Sequence, residues 1–298
     1  MIYTITTNPS LDYYLKIDDL KMGVLNRSDA EEYDAGGKGV NVSKILNKLG
    51  ITSTALGFLG GYNRDFYLSI LEAYDGIQPQ FTPIEGNTRI NVKIEGEEET
   101  SLNAKGPHIT KEEFERFARR FNSIYDNDYI VLSGNIQQEL KSDLIDMMAD
   151  LMKSDIKVIL DTDNDIVESL LPYKPYLVKM TYSNIGTDIV DILSTGRECI
   201  DKGVNFFMYS AKHMPSFLLM SDYYYKCDIS DKTSLSISGT NDSMIAGFLW
   251  AKLRAASPLE AFTYANAVTI STALMDRDAH MDLIDKNYKE LKVERFDY

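Results

Sequence analysis

The chain has 298 residues, 44% of them hydrophobic and 26% charged, which is ordinary globular usage and excludes a disordered or fibrous polymer. Forty-five acidic residues against 31 basic ones leave a formal charge of −14, which opposes sequence-independent binding to nucleic-acid phosphates or to an anionic lipid surface. No apolar run approaches the roughly 18 residues that cross a bilayer, and Thr and Asn interrupt the opening stretch where a signal peptide is apolar, so a cytoplasmic location is expected.

The first predicted element is a buried strand at Ile2–Thr6. Residues 13–34 follow without the run of apolar residues that a central strand requires, and are set aside as part of a lid. Val42, Ile45, Leu46 and Leu49 keep i, i+3, i+4, i+7 spacing and Gly50 ends them, so the spacing predicts an amphipathic helix. Further short apolar runs without alternation stand at Ser53–Phe58, Tyr129–Ser133, Lys157–Asp161, Tyr176–Lys179 and Asn205–Tyr209, the pattern of parallel strands covered on both faces.

Residues 89–103 differ. Ile90, Val92 and Ile94 alternate with Arg89, Asn91, Lys93 and Glu95, and Gly96 supplies a turn, so a hairpin with one polar face is expected there, able to cover a cleft. Thr110 with Glu113, and Ser257 with Glu260, each form the spacing of a capping box ahead of a helix. The Tyr223-Tyr224-Tyr225 run is read as strand packing. The whole is expected to be one doubly wound α/β domain over residues 1–298, with a mostly parallel sheet and lid strands inserted at about 13–34 and 89–103.

Two segments carry candidate chemistry. In Asp34-Ala35-Gly36-Gly37-Lys38-Gly39-Val40-Asn41, three glycines and a lysine lie directly before the first helix, where free backbone amides attract anions. It is neither a Walker A loop nor a dinucleotide fingerprint, and by itself a tight turn explains it equally well. In Ser238-Gly239-Thr240-Asn241-Asp242-Ser243, Asp242 falls near the start of another helix. There it reads either as a cap or as a general base that takes a proton from an attacking hydroxyl. Cys199 and Cys227 are too few for a disulfide framework, and His108, His213 and His280 lack metal-ligand spacing, so no protein-held metal site is read.

Taken together, the Gly-Gly-Lys-Gly-x-Asn loop and the late Gly-x-x-Asp element resemble the ribokinase/PfkB family of sugar kinases. The opening Ile2–Asp12, Asn26-Arg27, the stretch Leu56–Gly61, Thr88–Lys93 and Leu132-Ser133-Gly134 are similar to the 1-phosphofructokinase branch. The resemblance implies a ribokinase-like fold with a small β-lid and transfer of the γ-phosphoryl of ATP, with Mg²⁺, to a sugar phosphate. It makes fructose 1-phosphate the leading substrate, tagatose 6-phosphate the nearest alternative, and a homodimer through the lid an expectation.

Carried over residue by residue, Asp12 and Asn41 would hold sugar hydroxyls, and Gly36 and Gly37 would let the sugar approach the backbone. Lys38, Arg89 and Arg27 would face the phosphate, which answers how an acidic protein could hold an anion. Asp242 would be the catalytic base, Gly239, Thr240 and Asn241 the anion hole, and Lys179, Ser210, Lys212, Pro215 and Asn241 would stand at nucleotide positions.

The sequence departs from the family pattern on that nucleotide side. Asn241 replaces a glycine, Lys179–Asn184 keeps the lysine but loses the glutamate that helps organise Mg²⁺, and Lys212 and Pro215 replace both glycines of a nucleotide loop. A weakened nucleotide half is therefore expected, and a sugar-phosphate sensor of low activity is the competing function.

Overall fold

The computed structural model describes residues 1–96, 99–231, 240–275 and 279–298. In chain order, β1 (Ile2–Thr6) leads into a hairpin of β2 (Ser10–Lys16) and β3 (Ala30–Gly36), then α1 (Lys38–Lys48), β4 (Ser53–Gly60) and α2 (Tyr62–Leu71). Short strands β5 (Ile77–Pro79) and β6 (Thr82–Ile84) precede a second hairpin, β7 (Arg89–Glu95) with β8 (Thr100–Asn103), and helix α3 (Lys111–Ala118). Strand–helix alternation follows with β9 (Tyr129–Gly134), α4 (Lys141–Leu151), β10 (Lys157–Thr162), α5 (Asn164–Leu170), β11 (Leu177–Met180), α6 (Tyr182–Ile185), α7 (Ile189–Asp201) and β12 (Phe206–Tyr209). The remaining elements are β13 (Ser216–Leu219), β14 (Tyr223–Cys227), α8 (Thr240–Lys252), α9 (Pro258–Leu274), α10 (Met281–Glu290) and β15 (Val293–Asp297).

Every predicted apolar run becomes a strand of one sheet, ordered β15-β14-β13-β12-β11-β10-β9-β1-β4-β5, with β6 also paired to β4. From β12 through β1 to β5 the pairing is parallel, and β13, β14 and β15 extend that edge antiparallel. The alternation hidden in the uniformly apolar runs appears as two cores. Ile2, Val131, Ile159, Leu177 and Met208 pack with α1, α8 and α9, whereas Ile5, Ile130, Leu160, Val178 and Phe207 pack with α3, α4, α5 and α7. Tyr224 stacks on Phe296 of β15, so the tyrosine run packs within the sheet. Both expected capping boxes form, at Thr110 and Ser257, where the serine or threonine side chain and the Glu three residues on satisfy helix amides reciprocally.

A separate sheet ordered β3-β2-β7-β8 is the lid, and its first strand begins at Ser10 rather than Tyr13. Register pairs Ser10 with Arg89, Asp12 with Asn91 and Tyr14 with Lys93, so these residues share one face. That polar face is the covered one, with Ser10, Asp12, Asn91 and Lys93 all buried. The apolar alternation points outward: Ile90 and Leu102 are exposed and Val92 and Ile94 half-exposed, in line with the stacked rings of Tyr13 and Tyr33. A hairpin normally buries its apolar side, and this inversion follows from the lid being suspended over a hydrophilic cleft.

Candidate active site

The carboxyl ends of β1, β9 and β11, the first turns of α1 and α8, and the polar face of the lid line a cleft of about 460 Å³. This is where a doubly wound sheet is expected to hold its ligand. Thr6, Gly134 and Thr181 come from the strand ends, Lys38, Asn41 and Asp242 from the helix starts, and Asp12, Arg89, Asn91 and Lys93 from the lid.

On the lid side, Asp12 accepts hydrogen bonds at Oδ1 from Ser10 Oγ (2.7 Å) and Asn91 Nδ2 (2.9 Å). Burial pushes its carboxyl above the usual range, and these bonds together with the charge of Lys93 work against that. A Cβ on Gly36 would lie 2.3 Å from Asp12 Oδ2, so this glycine makes room for the carboxylate. Gly37 stands at φ 129° and caps α1, a conformation that L side chains rarely adopt.

Arg89 is more committed than a free phosphate contact would be. Its guanidinium donates to the carbonyls of Ala104 (3.0 Å) and Asn8 (2.9 Å), tying the lid to the segment after β1, while Nε is buried without a partner among the described residues. Lys93 Nζ donates to Ser101 Oγ (3.0 Å) and Asn103 Oδ1 (3.3 Å). The expected trio of cations is therefore altered: Lys38, Arg89 and Lys93 line the cleft, whereas Arg27 lies exposed in the β2–β3 connection and does not.

Beneath the opposite end lies a cluster of four charged side chains from four elements. Asp242, in the first turn of α8, is buried and accepts from Asn41 Nδ2 at 2.8 Å. Burial pushes its carboxyl up to about 6, Lys38 pulls it down and Asp161 pushes it up. Lys38 Nζ lies 3.5 Å from Asp161 Oδ1, and that carboxylate holds the ammonium above its ordinary pKa. Lys179 is fully buried, with Nζ 3.8 Å from the same oxygen. Lys93 stands in the Thr88–Lys93 stretch and on the polar alternation of β7, and Asp161 ends a predicted strand, but neither draws a site role from the sequence.

The residues at nucleotide positions are placed as follows. Asn241 lines the cleft and accepts from Ser210 Oγ at 2.9 Å. It is helical, so the glycine it replaces is not needed here for a left-handed backbone. The left-handed residue of the Ser210–Pro215 loop is instead His213, at φ 58°. Lys212 is exposed, Pro215 is half-buried and neither lines the cleft, while Gly239 lies outside the described residues. Asn184 accepts from the Thr181 amide (3.0 Å) and donates to Thr162 O (3.3 Å) and Asn164 Oδ1 (2.7 Å). An amide thus stitches two strand ends together where the resemblance leads one to expect a carboxylate.

No group of three or more His, Cys, Asp or Glu among the described residues is arranged to hold a metal. Asn135 and Ser183 also line the cleft. Among the described residues no helix is long and apolar enough to cross a membrane.

A doubly wound sheet whose strand ends and lid enclose a polar cleft, lined by Lys38, Arg89 and Lys93 together with Asp12, Glu99 and the buried Asp242, has the make-up of an enzyme site for a polar small molecule. The sequence profile of the pfkB family carbohydrate kinases matches residues 6–272, and the chain belongs to that family of phosphotransferases. The 1-phosphofructokinase of Bacillus subtilis (strain 168) is 31% identical, over 99% of this chain and 100% of the relative. The D-tagatose-1-phosphate kinase of Bacillus licheniformis is 26% identical, over 98% of this chain and 99% of the relative. The fold is that of phosphofructokinase-2 from Escherichia coli, solved with substrates and products, at a TM-score of 0.89 and 21% identity over 97% of this chain and 98% of that one.

Proposed function

We propose that the protein transfers the γ-phosphoryl group of ATP, with Mg²⁺, to fructose 1-phosphate, giving fructose 1,6-bisphosphate. The observation that carries this reading is Asp242: a buried carboxylate with its pKa raised to about 6, at a helix start, in one cleft with Lys38, Arg89, Lys93, Asp12 and Asn91. Asp12 and Asn91 orient the sugar hydroxyls, and Arg89 and Lys93 take its phosphate. Asp242 accepts the proton of the attacking hydroxyl as the new O–P bond forms and the bond to the ADP oxygen breaks, Lys38 offsets charge on the transferred group, and Mg²⁺ carried in on the nucleotide would add to that neutralisation. The amides at the start of α8, at Thr240 and Asn241, serve as an anion hole.

Both curated relatives bear names of kinases that act on sugar 1-phosphates, which supports position 1 for the substrate phosphate over the 6-phosphate alternative. An ADP-release assay across fructose 1-phosphate, tagatose 1-phosphate, tagatose 6-phosphate and fructose 6-phosphate tests this directly. The competing reading, a sugar-phosphate sensor of low turnover, is favoured by one observation: Asn184 and Pro215 occupy positions where the family resemblance places a glutamate and a glycine.

The lid supports a homodimer. Its outward face carries Ile90, Leu102 and the Tyr13–Tyr33 stack, and the connection at its tip exposes Met22, Val24 and Leu25. An apolar sheet face of this kind is covered in solution by a partner, and a second lid offers the same chemistry. Arg27, in that same connection, then reaches a cleft only from the second copy.

A further inference from the structure

We propose that Lys179 is a positioning residue of the transfer site, acting through Asp161 on the two groups that face the cleft, Lys38 and Asp242. This rests on the phosphoryl-transfer reading above and goes beyond it, since Lys179, expected at a nucleotide position, lies behind the cleft wall. It is 0% exposed at the carboxyl end of β11 and is not part of the cleft lining. Among the described residues its Nζ has no hydrogen-bond partner, and neither has Asp161 Oδ2. A buried ammonium and a buried carboxylate that are both under-satisfied cost the fold more than an apolar pair of the same size. The charge must therefore be balanced by something the fold keeps there for another reason.

Geometry supplies that reason. Asp161 Oδ1 lies between two ammonium groups, 3.5 Å from Lys38 Nζ and 3.8 Å from Lys179 Nζ. Lys38 keeps 42% of its side chain exposed toward the cleft, whereas Asp161 exposes 2%. The charged groups around this point are Lys38 from α1, Asp161 and the more distant Asp163 from β10 and its end, Lys179 from β11 and Asp242 from α8, with Asn41 donating to Asp242. With Lys179 charged, Lys38 and Lys179 balance Asp161 and Asp242. Without it two carboxylates share one lysine, so Asp161 draws Lys38 down from the cleft and Asp242 holds its proton to higher pH, which works against a base that must be free to accept one. Burial holds the Lys179 pKa below its ordinary value, and the charges of Asp161 and Asp242 work against that.

The test is the pH dependence of kcat/KM for the sugar phosphate at saturating MgATP, in wild type, Lys179→Met and Asp161→Asn. Removing a positive charge near Asp242 raises its pKa and removing a negative one lowers it, so the two variants have opposite signatures. Lys179→Met moves the acid limb up and raises KM for the sugar phosphate, because Lys38 is drawn away; Asp161→Asn moves the limb down. Limbs that stay in place, or that move together while turnover merely follows thermal stability, overturn the assignment and leave Lys179 a structural residue. If neither Lys179→Met nor Lys179→Gln folds, Asp161→Asn decides alone, and a limb that stays or rises refutes the proposal. Wild-type protein that turns over no sugar phosphate refutes the transfer reading and this assignment with it, whereas active wild type with unmoved limbs refutes this assignment only.

Discussion

Asn41 Nδ2 donates to Asp242 Oδ2 at 2.8 Å, joining the first turn of α1 to the first turn of α8 across 201 positions of the chain. The bond favours the ionised carboxylate that burial disfavours. Substituting Asp242→Asn is expected to lower kcat by about 10²–10⁴-fold, the loss typical of a general base, with sugar-phosphate binding by calorimetry nearly unchanged. Because its folded pKa is raised, Asp242 contributes stability below the ordinary carboxylate range that is lost as pH rises through about 6. Asn therefore carries no stability penalty at neutral pH, and a collapse of Tm would favour a structural role.

The same pair sets a pH profile. Activity of wild type should fall about tenfold per unit below a limb near pH 6, as Asp242 takes up a proton. Asn41→Ala removes the donor to the ionised form, so its limb should move to higher pH. A limb that moves down, or stays, would separate Asn41 from the base.

Arg89→Ala should raise KM for the sugar phosphate far more than for ATP, by about 1.5–3 kcal/mol or roughly 10- to 150-fold, the worth of a charge-assisted hydrogen bond. The guanidinium also holds the carbonyls of Asn8 and Ala104, so a lower Tm is expected alongside. An equal rise for both substrates would show that lid anchoring, rather than phosphate contact, is its role.

Isothermal titration should find the sugar phosphate bound without nucleotide and MgATP bound more weakly. Thr181, Asn184, Lys212, Pro215 and Asn241 all stand where the family resemblance places other residues. Micromolar binding of MgATP, together with turnover near the enzyme median of about 10 s⁻¹, would show these departures to be tolerated.

A charge on the outer lid face tests assembly. Leu102 is 58% exposed there, so Leu102→Glu should leave Tm of the protomer unchanged and convert a dimer to a monomer in sedimentation velocity. Wild-type protein that sediments as a monomer would remove the lid-to-lid contact.

Local pattern carried much of this account and failed at identifiable points. Strands such as Tyr129–Gly134 were legible because burial on both faces leaves an unbroken apolar run, and Asp12, Lys38, Asn41, Arg89 and Asp242 were placed in one cleft because their segments carry the family motifs. The polar face of β7 was legible as one able to cover a cleft; what alternation alone did not give is that the apolar face would stay outward. Asp161 reads locally as a strand end and Lys179 only as a residue at a nucleotide position, since their partners Lys38 and Asp242 come from distant segments brought together by the sheet order. Arg27 shares the lid motif, yet exposure at the lid tip keeps it out of its own cleft.

The most direct measurement is ADP release by the purified protein with MgATP across fructose 1-phosphate, tagatose 1-phosphate, tagatose 6-phosphate, fructose 6-phosphate and the unphosphorylated sugars. The highest kcat/KM is expected for fructose 1-phosphate, with fructose 1,6-bisphosphate as product and no turnover of sugars that lack the anion held by Arg89 and Lys93. Preference for a 6-phosphate, or measurable sugar-phosphate binding without ADP release from any of the set, would contradict it.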